Sequence, residues 1–415
     1  MARLRRHDDD RAEARSLSER LGGSEATESF VALGLLAVTA VVAGVVLGQS
    51  TGELEELPGL LLMVPAAIAL RGNIFGALGS RLGTAIHAGT YRLSLRPGTV
   101  VGENVIASMV LTLLLSFVLA ILAKATAVGF NVESSISIDE FAVISVVGGL
   151  LASLFVVVIA LGLAAGSVRF GWNPDNVTAP LVTAAGDAIT LPALLVAVPL
   201  VNHSGLAPTL AALLGAITVV GLVVTLRLRR PSIHQIMRES IPVLAVAIVL
   251  DLVAGVTVEK QREDLAALPV LLVLLPGYLA AAGALGGILS SRLSSKLHLG
   301  LTRAGAVPDR GARVDLRTTL LLALPVYLLV ALLSSGAGQL TDLSGPGLAD
   351  LLAVTLVGGL VATVVVMVVA YYGTMFAVRF NLDPDTYGIP LVTSTLDLVG
   401  AFTLVFALEA FDVLP

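Results

Sequence analysis

The sequence predicts an all-α integral membrane protein of about 11 transmembrane helices: two parallel five-helix repeats joined by one linker helix. Three observations predict it. First, the 415 residues are 56% hydrophobic and only 13% charged, with a mean hydropathy of +0.95, whereas a soluble domain is about 25% charged. Second, apolar runs long enough to cross a bilayer recur along the whole chain. Third, the second half rewrites the first at an offset of 210 or 211 residues.

The runs between polar or Pro/Gly breaks place helices near 30–48, 57–80, 104–126, 141–166, 177–201, 209–226, 239–258, 268–291, 318–336, 350–376 and 387–410. Residues 1–28, with six arginines and no apolar core, read as a cytoplasmic tail. The first apolar run, Phe30 to Leu47, matches a later internal segment, so it reads as a span rather than a cleaved leader. The first repeat then covers 29–203. A linker helix with a basic loop covers 204–238, and the second repeat covers 239–415.

The repeat is broad. Val42-Ala43-Gly44-Val45 recurs as Val253-Ala254-Gly255-Val256, and Ser80-Arg81-Leu82 recurs as Ser291-Arg292-Leu293. Val147-Gly148-Gly149-Leu150 recurs as Val357-Gly358-Gly359-Leu360. Five spans per unit would leave directly fused units inverted, and the additional helix near 209–226 makes them parallel. The chain therefore reads as a two-fold dimer in one polypeptide, its axis along the membrane normal. Cationic residues agree. With a cytoplasmic N-terminus, nearly all arginines fall inside, only Lys124, Lys260 and Arg262 fall outside, and the C-terminus is external.

The residues with chemistry recur too. Val168-Arg169-Phe170, Asn173-Pro174-Asp175, Pro180-Leu181-Val182-Thr183 and Asp187 are followed 210 residues later by Val378-Arg379-Phe380, Asp383-Pro384-Asp385, Pro390-Leu391-Val392-Thr393 and Asp397. Acids inside a membrane are costly and mark functional paths. From a start near Val177, Asp187 lies roughly 15 Å along its helix, near the bilayer middle. Pro180, Thr183 and Asp187 share one face, as do Pro390, Thr393 and Asp397. Two such helices facing each other would bring two carboxylates to a central path suited to a hard divalent cation. Asn73 could add an amide oxygen, but its counterpart is Ala284. The bland alternative is that each aspartate caps a helix break or pairs with a cation, for which Arg71 and Lys124 are the candidates in the first half. Asp251 is a further membrane acid whose counterpart is Ala40. It fits either ion or proton coupling or a helix-interior polar contact.

Together, Gly72-Asn73, Ser80-Arg81-Leu82, Asn173-Pro174-Asp175-Asn176, Pro180-Leu181-Val182-Thr183 and Asp187 resemble the MgtE family of magnesium transporters. The doubled form looks most like its eukaryotic solute-carrier relatives. The resemblance implies a Mg²⁺ path on the axis, with Asp187 and Asp397 as metal-coordinating residues and Thr183, Thr393 and Asn73 as neighbours. Mg²⁺ would be the transported ion. Bacterial members carry large cytosolic gating domains, whereas residues 1–28 offer only Asp8-Asp9-Asp10 as an acidic cluster, so gating would need a separate cytosolic regulator. The implied setting is the cell membrane and the lipid bilayer, with no nucleic acid and no enzymatic activity. The chain would be a monomer with an internal pseudo-dimer, or a weak homodimer.

Two other readings fit parts of the pattern. A carrier for another divalent ion or a small solute would use the same acids, although soft transition metals lack ligands here. The chain has no cysteine, and its histidines form no cluster. An intramembrane aspartyl protease also uses two membrane aspartates, but in two different motifs on successive helices, not one motif repeated 210 residues apart.

Overall fold

Among the described residues, eleven helices of the computed structural model are long and apolar enough to cross a membrane. The structure describes residues 29–171, 174–201, 205–227, 230–298, 302, 305–379 and 389–414. The tail 1–28 and the stretch bearing Asp383, Pro384 and Asp385 lie outside the described residues.

In chain order the first unit holds α1 (Ser29–Gln49), a short α2 (Thr51–Glu56), α3 (Leu60–His87), α4 (Val100–Gly129), α5 (Ile138–Phe170) and α6 (Pro174–Ala197). Helix α7 (Leu206–Arg227) is the linker. The second unit repeats the order as α8 (Pro231–Glu259), short α9 (Arg262–Ala267), α10 (Pro269–His298), α11 (Arg310–Leu340), α12 (Leu348–Arg379) and α13 (Ile389–Ala410). Every expected span is present. Most are longer than the apolar runs because the helices continue past the hydrocarbon into polar turns. Thr99 caps α4 by accepting from Gly102 N–H, Ser137 and Glu140 form a capping box on α5, and Asp309 caps α11. The short α2 and α9 were not expected. They lie in the polar links after the first span of each unit, and they pack against each other.

The two sequence repeats are not two spatial bodies. Helix α8 packs on α3 and α4 of the first unit as well as on α13 of its own. Helix α1 does the reciprocal. A Cβ at Gly44 on α1 would overlap the carbonyl of Val273 on α10, and one at Gly255 on α8 would overlap the carbonyl of Leu62 on α3. The offset of 211 carries Gly44 onto Gly255 and Leu62 onto Val273. Residue i touching j′ while i′ touches j is the pattern of a two-fold contact. Glycine lets the helix backbones approach this closely, as small residues do between membrane helices. The first helix of each unit is thus exchanged onto the other, and the chain cannot be cut into two independent halves.

One lock on this exchange occurs in a single half. Glu259, buried at the end of α8, accepts hydrogen bonds from Gly59 N–H (2.8 Å) and Leu62 N–H (3.1 Å) at the start of α3. A carboxylate here satisfies orphan amides and meets the positive end of the helix dipole. Its counterpart, Gly48, packs on the carbonyl of Pro269 instead.

Candidate functional site

Helix α6 is held between α3 and α5, and α13 between α10 and α12. The face of α6 that carries Thr183 and Asp187 meets a bare stripe on α3. A Cβ at Gly72 would lie 3.0 Å from Asp187 Oδ1, and one at Gly76 would lie 2.6 Å from Thr183 Oγ1. The second half repeats this more loosely. A Cβ at Gly283 would lie 3.4 Å from Asp397 Oδ1, and one at Gly287 would lie 3.9 Å from Thr393 Cγ2. The i, i+4 glycines therefore hollow the wall opposite each acid and hydroxyl. Four glycines serve this task, Gly72 and Gly76 on α3 and Gly283 and Gly287 on α10.

Asp187, Asp397, Thr183 and Thr393 are all half-buried. Asp397 lies close enough to Asp187 for the two like charges to repel. No described residue donates a hydrogen bond or a compensating charge to either carboxylate. The cations considered as partners for Asp187 are engaged elsewhere. The Arg71 guanidinium donates to Ser116 Oγ (2.7 Å) and the Ser145 carbonyl (3.2 Å). Lys124 binds Ser135 and the Ile136 carbonyl at 3.0 Å. Arg81 bonds Asn104, and Arg292 bonds Ser29 on α1, so both fasten helix ends.

Asn73 follows Gly72 on α3 and is half-buried, with no hydrogen bond to a described residue. Asp251 is 1% exposed. Its Oδ2 accepts from Ser394 Oγ (3.1 Å) on α13, its Oδ1 has no partner, and it stands within electrostatic reach of Asp397. The sequence flagged Asp251 but gave no sign of Ser394, since a serine in an apolar helix is unremarkable until its neighbour is known. Among the described residues, no three His, Cys, Asp or Glu side chains converge into a metal cage.

The comparisons with known proteins decide the class. The family model described as "MgtE: Divalent cation transporter" matches twice, over residues 64–197 and 275–407. The chain belongs to the MgtE family of divalent cation transporters. The two matches cover α3–α6 and α10–α13 and leave out the exchanged helices α1 and α8. Membership places the chain among transporters rather than enzymes, so the aspartyl-protease reading falls away. Solute carrier family 41 member 2 of Homo sapiens is 25% identical over 94% of this chain and 70% of its own length. The member 2 protein of Gallus gallus is 26% identical over 88% of this chain and 66% of its own. Solute carrier family 41 member 3 of Mus musculus is 24% identical over 84% and 75%. Among solved structures, a eukaryotic MATE transporter is 13% identical with a TM-score of 0.36, covering 94% of this chain and 99% of that one. That score is too low to carry an argument about fold.

Proposed function

We propose that this MgtE-family chain carries Mg²⁺ through the membrane along the axis between its two repeats, with Asp187 and Asp397 as the ion-holding groups. The observation that carries the reading is the pair of half-buried carboxylates, within electrostatic reach of each other and without a described cation partner. Two such acids in an apolar setting are costly unless a cation visits them. Thr183, Thr393 and Asn73 supply neutral oxygens beside the path.

Mg²⁺ dehydrates reluctantly and keeps several waters when it binds. Two carboxylates with hydroxyls, and no cage of three or more ligating side chains among the described residues, suit a hydrated ion in passage better than a resident metal. The carboxylates repel anions and offset the hydration the ion loses on entry. The arginine bias proposes a cytoplasmic N-terminus in the cell membrane. An inside-negative potential then favours entry by roughly 2.3 kcal/mol per charge per 100 mV.

The test is Mg²⁺ uptake into proteoliposomes holding a Mg²⁺-sensitive dye, with and without an imposed potential, and with Ca²⁺, Mn²⁺ and Co²⁺ as competitors. Wild type should give a flux that the Asp187→Ala/Asp397→Ala double variant abolishes. Equal flux through both proteins would refute the assignment of the acids. Preference for another divalent ion would keep the path and change its cargo.

A further inference from the structure

Helix α7 has no counterpart in the repeat, and among the described residues it is the most exposed of the spans. One face lies on α4. A Cβ at Gly215 would lie 3.2 Å from Phe117 Cζ, and one at Gly221 would lie 3.9 Å from Leu113 Cδ1. Rising numbers on α7 thus meet falling numbers on α4, so the two run antiparallel and the end of α7 arrives at the first turns of α4. Another face carries an exposed apolar stripe, Leu213, Ile217, Val220 and Val224. Arginines gather where that stripe ends. His234 bonds both the Leu226 carbonyl (3.2 Å) and the Arg230 carbonyl (2.7 Å), which closes the turn from α7 into α8. Arg227 and Arg230 flank this turn, and both are exposed. The Arg230 guanidinium lies over Gly98 in the loop entering α4, where a Cβ would be 3.4 Å from its Nη1. Arg96 stands two residues before Gly98 and, like Arg92 and Arg227, it is exposed with no described partner for its side chain. Between Arg92 and Arg96, Leu93 and Leu95 are 61% and 59% exposed.

We propose that this surface binds an anionic phospholipid, its headgroup among Arg96, Arg227 and Arg230 and an acyl chain along the α7 stripe. The occupant follows from the combination. The stripe needs hydrocarbon and the arginines at its end need an anion, and an anionic lipid brings both in one molecule. An acidic peptide would meet the arginines and leave the stripe bare, while a neutral lipid would do the reverse. Basic pockets at the ends of membrane helices attract anionic headgroups, each cation adding to the hold. Leu93 and Leu95 suit the boundary between headgroups and chains, where apolar side chains dip inward while arginines stay among the phosphates. Glu103 is the acid in contact, and its pairing with Arg230 at 3.8 Å still leaves that arginine's side chain 44% exposed. Because α7 has no counterpart, the surface occurs once, on the linker between the two repeats.

The experiment is native mass spectrometry of the purified full chain titrated with phosphatidylglycerol, with phosphatidylcholine as the neutral probe. Wild type should retain phosphatidylglycerol well beyond phosphatidylcholine. Arg96→Gln and Arg230→Gln should each weaken retention about fivefold, and the double variant about twentyfold. Glu103→Gln frees Arg230 and should act in the opposite direction, tightening retention, which disruption of the fold cannot do. Arg313→Gln, equally exposed near the start of α11, should change nothing. Equal retention of the two lipids by wild type, or wild-type retention in Arg96→Gln/Arg230→Gln, would overturn the proposal. So would an equal loss in Arg313→Gln, since the effect would then belong to surface charge at large. Inorganic phosphate added to the loaded protein should leave the lipid in place. Its displacement would mean that the arginines hold a phosphate group alone, with no part for the stripe, and would overturn the lipid as occupant. Should the double variant fail to fold, Glu103→Gln decides the matter, with unchanged or weaker retention counting against the site.

Discussion

Adding one methyl group to α3 should separate the stability of this protein from its transport. In Gly76→Ala the new Cβ would sit 2.6 Å from Thr183 Oγ1, closer than real side chains allow, so the threonine must turn away. Replacing a mid-helix glycine by alanine gains about 1 kcal/mol of helix propensity. Driving Thr183 off its preferred rotamer costs about 0.5–1.5 kcal/mol. The two nearly cancel, and the unfolding temperature should barely move. Transport should not be spared. If the Thr183 hydroxyl holds the ion or its water, a hydrogen bond to a charged group worth about 1.5–3 kcal/mol is lost. That corresponds to about a ten- to hundredfold rise in half-saturating Mg²⁺. The control is Gly287→Ala on α10, where the Cβ would meet only Thr393 Cγ2, at 3.9 Å. It should gain the same propensity and keep its affinity. Both variants are read in proteoliposome flux and in thermal unfolding monitored by a buried probe. Wild-type affinity in Gly76→Ala, or an equal loss in Gly287→Ala, would refute the claim that the α3 glycines exist to seat the ion-facing side chains.

Other substitutions test the scaffold. Gly255→Val should abolish folded protein, because its side chain would drive into the Leu62 carbonyl and force α8 off α3, and Gly44→Val should do the same at Val273; recovery of monodisperse protein by size exclusion would count against the exchanged helices. Glu259→Ala strands the Gly59 and Leu62 amides and should cost about 1–3 kcal/mol, read as a lowered melting temperature. Gly48→Ala on α1 should fail for a different reason, clashing with the Pro269 carbonyl rather than losing a cap. Gly149→Ala would push into the buried Arg71 guanidinium and Gly359→Ala into the Tyr327 ring, each lowering stability by about 1–3 kcal/mol in thermal unfolding.

The spans and their pairing were legible because both are written in periodic, local signals. A helix in lipid needs about 20 apolar residues wherever it packs, and a duplicated gene keeps its landmarks, such as Pro65 and Pro276 inside α3 and α10. The exchange of α1 and α8 left no such mark. Equivalence by offset says which helices correspond, not which ones touch, and Gly44 matches Gly255 whether each packs at home or across the axis. The short α2 and α9 escaped because six-residue polar helices have no apolar run to announce them.

The site divides along the same line. Asp187 and Asp397 stand out in the chain because a repeated acid in an apolar helix is costly enough to demand a reason, and Thr183 and Thr393 lie on the same faces one turn away. What the chain could not supply is the partner of each lone charge. Arg71 and Asp187 are separated by little more than the wall of α3, yet the guanidinium turns to Ser116 and Ser145 and leaves the carboxylate without a cation. Asp251 looked like an unpaired curiosity because its counterpart is alanine. In the fold that same asymmetry makes it informative, since Ser394 is present where Asp251 is and is replaced by Ala184 where Asp251 is replaced by Ala40. Two repeats that began alike have kept the acids the ion would need and diverged in the charges around them.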